Sequence, residues 1–298
     1  MPFPQLDPNL TKPIDRDAPP TIYGSVLKPE LATAALNLPI DFLKQKESLA
    51  NQYLAAQKLT LGSILFAVVV YMCSSCTLPR ERTGSVVEYV YLFAGINRKE
   101  MVTALIVSAI SASLLLTSLA KLTNAVFKAK SKVILDSHGI SVFNVDLTKL
   151  GAGDPSVTKD KNLENTHIVV YRETPIALVT VQENKSLSTK DALVVSISSM
   201  GSRLVYLKSG ILEDLIDWAL VRTKKIQHQS DKYKKGTSMK LIIEVYSFDT
   251  HMKETLKKKG FSVIESYKLP ESRILGGLFS IKRELWGIQF HFESKKEK

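Results

Sequence analysis

Cysteine and histidine are scarce in this chain: two cysteines and five histidines among 298 residues. That scarcity excludes a fold built on disulfides. It also leaves no four-ligand zinc site, since neither a second cysteine pair nor a histidine cluster accompanies Cys73 and Cys76. The C-x-x-C spacing is that of redox motifs, but both residues lie near the end of an apolar segment. Two small semi-polar side chains packing in a membrane helix is the simpler reading. No Walker loop, nucleophile elbow or metal-spaced cluster is present. The first 40 residues hold no apolar core behind a basic start, so no secretory leader is expected. Targeting then falls to the first apolar segment.

Charge is absent from two stretches, Leu59 to Leu78 and Met101 to Ala120. Each is about twenty residues, enough as a helix to cross a hydrocarbon core of ~30 Å. Their short connection makes residues 57–122 a transmembrane hairpin, with spans at about 59–78 and 101–120. The run from Val86 to Phe93 in the connection is too short to cross; it extends a span or lies in the interface, where tyrosine is favoured. Gly62, Ala104, Ser108, Ala109, Ala112 and Ser113 offer small surfaces for helix packing. They either join the two spans or receive a partner, and Ser108 with Ala112 is the candidate partner face. Basic residues set the orientation. Lys44, Lys46, Lys58, Lys121, Lys128, Lys130 and Lys132 flank the hairpin on one side, against Arg80, Arg82, Arg98 and Lys99 in the connection. Both termini are therefore expected in the cytosol.

The formal net charge of +11 is concentrated behind the hairpin. A basic domain tethered there suits an anionic membrane surface. Nucleic acid is not an expected partner, because the lysine groups lack interleaved aromatics for stacking. The chain ends Lys295-Lys296-Glu297-Lys298. Lys295 and Lys296 resemble the dilysine retrieval signal of endoplasmic-reticulum membrane proteins, which implies a retrieval tail at 294–298 read by vesicle coat components.

Six prolines make the chain irregular to about residue 24. Glu30 to Lys58 has helical periodicity, and Pro39 and Asp41 are expected to divide it into two amphipathic helices. Residues 1–56 read as a cytosolic N-terminal segment and 132–293 as a soluble domain. Strand patterns fall at Val133–Leu135, Ile140–Val145, His167–Tyr171, Ile176–Val181, Leu193–Ile197, Leu241–Tyr246, Phe261–Ile264 and Leu285–Phe292. Helical patterns fall at Ser209–Gln227 and Thr250–Lys259, with a polar loop from Gly151 to Asn165. This order predicts an α+β fold with a mixed, α/β-like sheet.

The order over residues 133 to 293 resembles the GNAT acetyltransferase fold. Ile176–Val181 and Leu193–Ile197 stand for its third and fourth strands, Ser209–Gln227 for the cofactor-side helix, and Gly260-Phe261 for the frequent pair before the sixth strand. The family holds the acetyl-CoA pyrophosphate at that helix N-terminus with Arg/Gln-x-x-Gly-x-Gly/Ala. Here the segment is Leu207-Lys208-Ser209-Gly210-Ile211-Leu212, so Gly210 matches while Leu207 and Leu212 do not. No acid tyrosine stands on the helix after the fifth strand; Tyr246 is on the strand itself, Glu244 reads as a rim residue and His251 as a solvated helix residue. The resemblance implies the fold, with no catalytic residue, metal or cofactor. Its rival is a membrane-anchored N-acetyltransferase.

The whole layout resembles a fungal endoplasmic-reticulum membrane family that assists export of the inorganic-phosphate transporter. The matching features are Asp15-Arg16-Asp17-Ala18-Pro19-Pro20-Thr21-Ile22-Tyr23, Leu27-Lys28-Pro29-Glu30-Leu31, Ala35-Leu36-Asn37-Leu38, the hairpin and the basic C-terminal domain. The resemblance implies a non-enzymatic packaging chaperone for a multi-spanning client. It leaves open whether the spans or the soluble domain touch that client.

Overall fold

The structure is a computed structural model that describes residues 21–80, 84–189, 192–207, 209–229 and 238–291. Seven strands form one mixed sheet: β1 (Ile22–Val26), β2 (Thr166–Tyr171), β3 (Thr174–Glu183), β4 (Ala192–Ser202), β5 (Ser238–Tyr246), β6 (Ser262–Lys268) and β7 (Lys282–His291), in the spatial order β1-β2-β3-β4-β5-β7-β6. All pairs are antiparallel except β4 with β5. The strands and helices expected from Thr166 onward are present in the expected order, so the GNAT-like α+β fold is what the chain adopts.

The parallel pair needs a crossover, and α8 (Ile211–Gln229) supplies it. Leu212, Leu215, Ile216 and Ala219 recur at helical spacing and are all buried against Val179, Val195, Met239 and Leu241 of the sheet. Following β5, α9 (Thr250–Lys258) starts where the Asp249 carboxylate accepts the Met252 N–H at 3.1 Å. It too buries Met252 and Leu256 on this face.

The opposite face is covered from the N-terminal side. Helix α1 (Ala32–Ala55) places Ala35, Leu38 and Phe42 over Ile168, Val170 and Leu178. Three short helical turns, α5 (Ile140–Phe143), α6 (Leu147–Gly151) and α7 (Pro155–Thr158), precede β2. Phe143 and Leu150 of these turns complete that core.

Several expectations are corrected here. The sheet does not begin near residue 132: Ile22–Val26 is its edge strand, in register from Ile22↔Tyr171 to Val26↔His167. Pro39 does not divide the helix but sits buried inside α1. Losing one backbone hydrogen bond there is offset by burying Leu38 and Phe42 on either side. Val133–Leu135 and Ile140–Val145 are not strands. The first is the last turn of α4 (Arg98–Asp136), with only Ile134 buried. The second is the α5 turn, whose Val142 carbonyl accepts from Ser198 at 2.7 Å.

Between β1 and β2 the chain leaves the sheet and returns. Helix α2 (Lys58–Ser75) follows α1 across a break at Gln57, where the Thr60 hydroxyl donates to the Leu54 carbonyl at 2.7 Å. An apolar helix α3 (Val86–Ile96) makes the turn, distinct from either span. The 39-residue α4 then runs back without interruption, about 58 Å at 1.5 Å per residue. Its first half packs along α2 and its second along α1, where the Thr123 hydroxyl meets Asn51 Oδ1 at 2.5 Å. Both α2 and α4 are long and apolar enough to cross a membrane. Only 6% and 11% of their apolar windows are buried, which separates them from the core helices of a soluble protein.

Candidate functional site: the parted strands and the hairpin rooted beside them

β4 and β5 pair from Ala192↔Ser238 to Ile197↔Ile243 and then part. β4 continues to Ser202 on β3 alone, and β5 to Tyr246 on β7 alone. In the fold this chain resembles, the cofactor helix starts at that opening. Here the helix start is occupied by the chain itself. Gly210 turns the chain with φ +84, a left-handed conformation that glycine adopts without strain. The Glu213 carboxylate folds back to 3.3 Å from where a Cβ on Gly210 would stand. Glu213 and Asp214 thus place two negative charges in the first turn, where an incoming pyrophosphate would need the positive end of the helix. Leu212 is buried in the main core and Leu207 packs against it. Both leucines also line a cavity of about 410 Å³ beside the helix start, where Glu213 and Asp214 supply the first-turn carboxylates. Lys208 lies outside the described residues.

α1 closes the other wall. The Phe42 ring lies on Gly201 so closely that a Cβ there would stand 2.7 Å from it. Two cavities remain, of about 410 and 610 Å³, and Lys46 of α1 borders both. Burial holds the Lys46 ammonium below its ordinary pKa; Asp249 opposes this and Lys130 adds to it. His251 lines the smaller cavity.

The larger cavity is bounded by a polar junction between α4 and the sheet. Lys130 donates to the Tyr246 hydroxyl at 2.5 Å and pairs with Glu271 at 3.2 Å. Arg283 pairs with Glu244 at 3.2 Å and also with Glu271, and the Tyr267 hydroxyl donates to Glu244 at 2.7 Å. Burial first, and Arg283 beside it, lower the Lys130 pKa to about 8 against the opposing pull of Glu244. Burial likewise raises the Tyr246 phenol. Phe127 meets the Tyr246 ring edge-on at 5.5 Å, and Phe248 stacks on that ring at 5.1 Å. Glu244 is thus held by Arg283 and Tyr267, and Tyr246 anchors α4 to the sheet.

The hairpin carries the remaining predicted residues. Ser108 lines an apolar groove of about 380 Å³ between α2 and α4 with Leu61, Leu65, Met101 and Leu105. Ala112 is half-buried on the same helix and Ala104 is buried, while Ala109, Ser113 and Gly62 are exposed. Cys73 and Cys76 are free thiols. Asn97 is a functional residue that no sequence pattern singles out. It is 2% exposed and clasps the hairpin tip. Its amide donates to the carbonyls of Thr77 and Phe93 at 2.9 and 3.0 Å, and its oxygen accepts the Thr77 N–H at 2.8 Å. Lys295 and Lys296, and the Asp15–Pro20 part of the N-terminal motif, lie outside the described residues.

These features define a class: an apolar helical hairpin rooted in a GNAT-like sheet domain. The chain belongs to the family of the inorganic phosphate transporter chaperone Pho86, whose family model matches residues 4–290. No curated protein matches it. Among solved structures it is similar to Arabidopsis thaliana Naa50 in complex with a bisubstrate analogue, at TM-score 0.32 and 15% identity over 43% of this chain and 74% of that one. It is similar to Arabidopsis thaliana NAA60 with a bisubstrate analogue, at TM-score 0.33 and 14% identity over 48% and 90%. The ribosomal-protein-S18-alanine N-acetyltransferase of Escherichia coli matches at TM-score 0.30 and 10% identity over 45% and 73%.

Proposed function

We propose that the protein is an endoplasmic-reticulum membrane chaperone that holds a multi-spanning phosphate transporter until it is packaged for export. Both termini are cytosolic in this reading, the GNAT-like domain is a non-catalytic scaffold, and Lys295 and Lys296 return the protein through the retrieval coat. An anionic cytosolic leaflet attracts the lysines behind the hairpin. The observation that carries the reading is the hairpin surface. Only 6% and 11% of its two windows are buried, and large apolar side chains such as Leu65, Phe66 and Leu105 stand exposed. A folding transporter presents matching helix faces at the same depth, and small residues let helices approach closely.

The acetyltransferase alternative is disfavoured by Glu213 and Asp214 at the helix start and by Phe42 against Gly201. Titrating the full-length protein with acetyl-CoA is expected to give no saturable heat at micromolar cofactor; tight binding with acetyl transfer overturns the scaffold reading. Asn184-Lys185-Ser186 is a glycosylation sequon, which a cytosolic placement keeps from the lumenal transferase. Glycosylation there contradicts the orientation.

The decisive test of client binding is Ser108→Leu with Ala112→Leu, which adds bulk at the groove that Ser108 lines and one turn beyond it. The double variant is expected to insert normally and to lose co-purification with the transporter. Full co-purification at normal protein levels overturns the hairpin as the client site.

A further inference from the structure

Four exposed apolar side chains stand on two turns at one end of the sheet. Leu204 and Val205, 68% and 86% exposed, occupy the turn after β4. Ile274 and Leu278, 47% and 62% exposed, occupy a π-helical turn between β6 and β7. Apolar side chains displayed this way on fixed turns call for a covering surface.

Strand direction places both turns together. β5 runs toward Phe248, whose ring lies 6.1 Å from Tyr53 near the end of α1. Shortly after Tyr53 come Lys58 and the apolar helix α2. β4 is parallel to β5, so its end leaves in the same direction. The β6–β7 connection leaves there too, because Tyr246 at the end of β5 pairs with Arg283 at the start of β7. Packing agrees. Leu269, Leu275, Phe279 and Ile281 share one apolar cluster with Leu54 of α1 and with Leu119. Leu119 lies inside the uncharged stretch of α4 that ends at Ala120. On the other side, Leu204 and Gln52 of the last turn of α1 line one cavity.

The second turn is held firmly. Gly276 lies where a Cβ would stand 2.7 Å from the Leu269 carbonyl oxygen, and the Leu275 carbonyl accepts the Ile281 N–H at 3.0 Å. Leu275 and Phe279 are buried while Ile274 and Leu278 face outward. Each turn is led by an exposed arginine, Arg203 and Arg273. An apolar tip beside a basic side chain is the chemistry of the headgroup boundary, where the tip enters the acyl edge and the cation meets phosphate.

We propose that this end of the sheet rests on the bilayer, with the Leu204–Val205 and Ile274–Leu278 turns inserted in its interface. The surface is continuous with the hairpin, and the inference rests on reading α2 and α4 as membrane-spanning. It gives the domain three attachments to the membrane, and so a fixed tilt beside a bound client.

The test uses the full-length chain in phosphatidylcholine–phosphatidylserine nanodiscs, with Cys73→Ser and Cys76→Ser. A fluorophore is attached at Val205→Cys or Leu278→Cys, at Leu105→Cys within α4, and at Lys185→Cys in the distant β3–β4 turn. Quenching by lipids spin-labelled near the headgroup is expected to be several-fold stronger at 205 and 278 than at 185, with loss of quenching by aqueous iodide. Labels at 205 and 278 that behave as the one at 185 overturn the inference alone, provided deep lipid quenchers reach the label at 105. If that label is also unquenched, the membrane hairpin itself fails. Shielding from iodide without lipid quenching places a second copy of the chain on the turns and overturns the inference.

Discussion

One helix, α4, passes through two environments, and its two halves invert each other. From Met101 to Leu116 most large side chains face outward: Leu105 is 73% exposed, while Ala104 and Ser108 turn toward α2. From Lys121 to Asp136 the pattern is that of a soluble protein. Val126, Phe127 and Ile134 are buried, and Lys121 and Lys128 face outward. No break marks the change, because backbone hydrogen bonds are satisfied within the helix in either solvent. The side chains alone say where the uncovered apolar half ends and the domain begins.

Breaking either half should give opposite readouts. Phe127→Ala removes a ring packed on Tyr246 and is expected to cost about 3–5 kcal/mol of domain stability. It should show as a lower midpoint in thermal unfolding, with membrane integration unchanged. Ile110→Lys puts a charge in the middle of the outer half, at a side chain 55% exposed, and is expected to cost about 2.5–3.5 kcal/mol of insertion. Alkaline extraction should then release part of the protein, while the domain, where it folds, keeps its unfolding midpoint.

Smaller changes sharpen the same contrast. Asn97→Ala removes the bond to the exposed Thr77 N–H at the hairpin tip and is expected to cost about 0.5–1.5 kcal/mol there. Faster protease cleavage of the connection, with the domain intact, is the check. The smallest effect is a pH dependence of the junction. The folded Lys130 pKa lies near 8 against an ordinary 10.5, so the unfolded chain holds that proton more tightly. Stability is therefore expected to rise as pH climbs from about 8 toward 10. The raised Tyr246 phenol reverses the trend once the unfolded tyrosine ionises near pH 10. Lys130→Met should flatten the rising part in denaturant titrations at successive pH values.

The inverted halves also explain what was legible in the sequence. Uncharged runs of about twenty residues are unambiguous in any chain, and the alternating strands from Thr166 onward carry their own period. Ile22–Val26 was not legible, because an exposed edge strand beside a proline-rich stretch buries no alternate face. Val133–Leu135 misled because three β-branched or large apolar residues in a row look like a strand. Only the helix behind them makes them a last turn. The site was half legible. Loss of the phosphate motif at Leu207 and Leu212 could be read directly. The Glu213 carboxylate over Gly210 and the Asn97 clasp depend on geometry, and in the second case on a partner twenty residues away.

The measurement closest to the central claim is site-specific photo-crosslinking in native membranes. A photoreactive residue replaces Leu65 or Leu105 in the hairpin, or Lys224 on the far side of the sheet domain. The account predicts crosslinks to the phosphate transporter from positions 65 and 105, lost on Ser108→Leu with Ala112→Leu, and none from 224. Crosslinks from position 224 alone would contradict it and move the chaperone function to the GNAT-like domain.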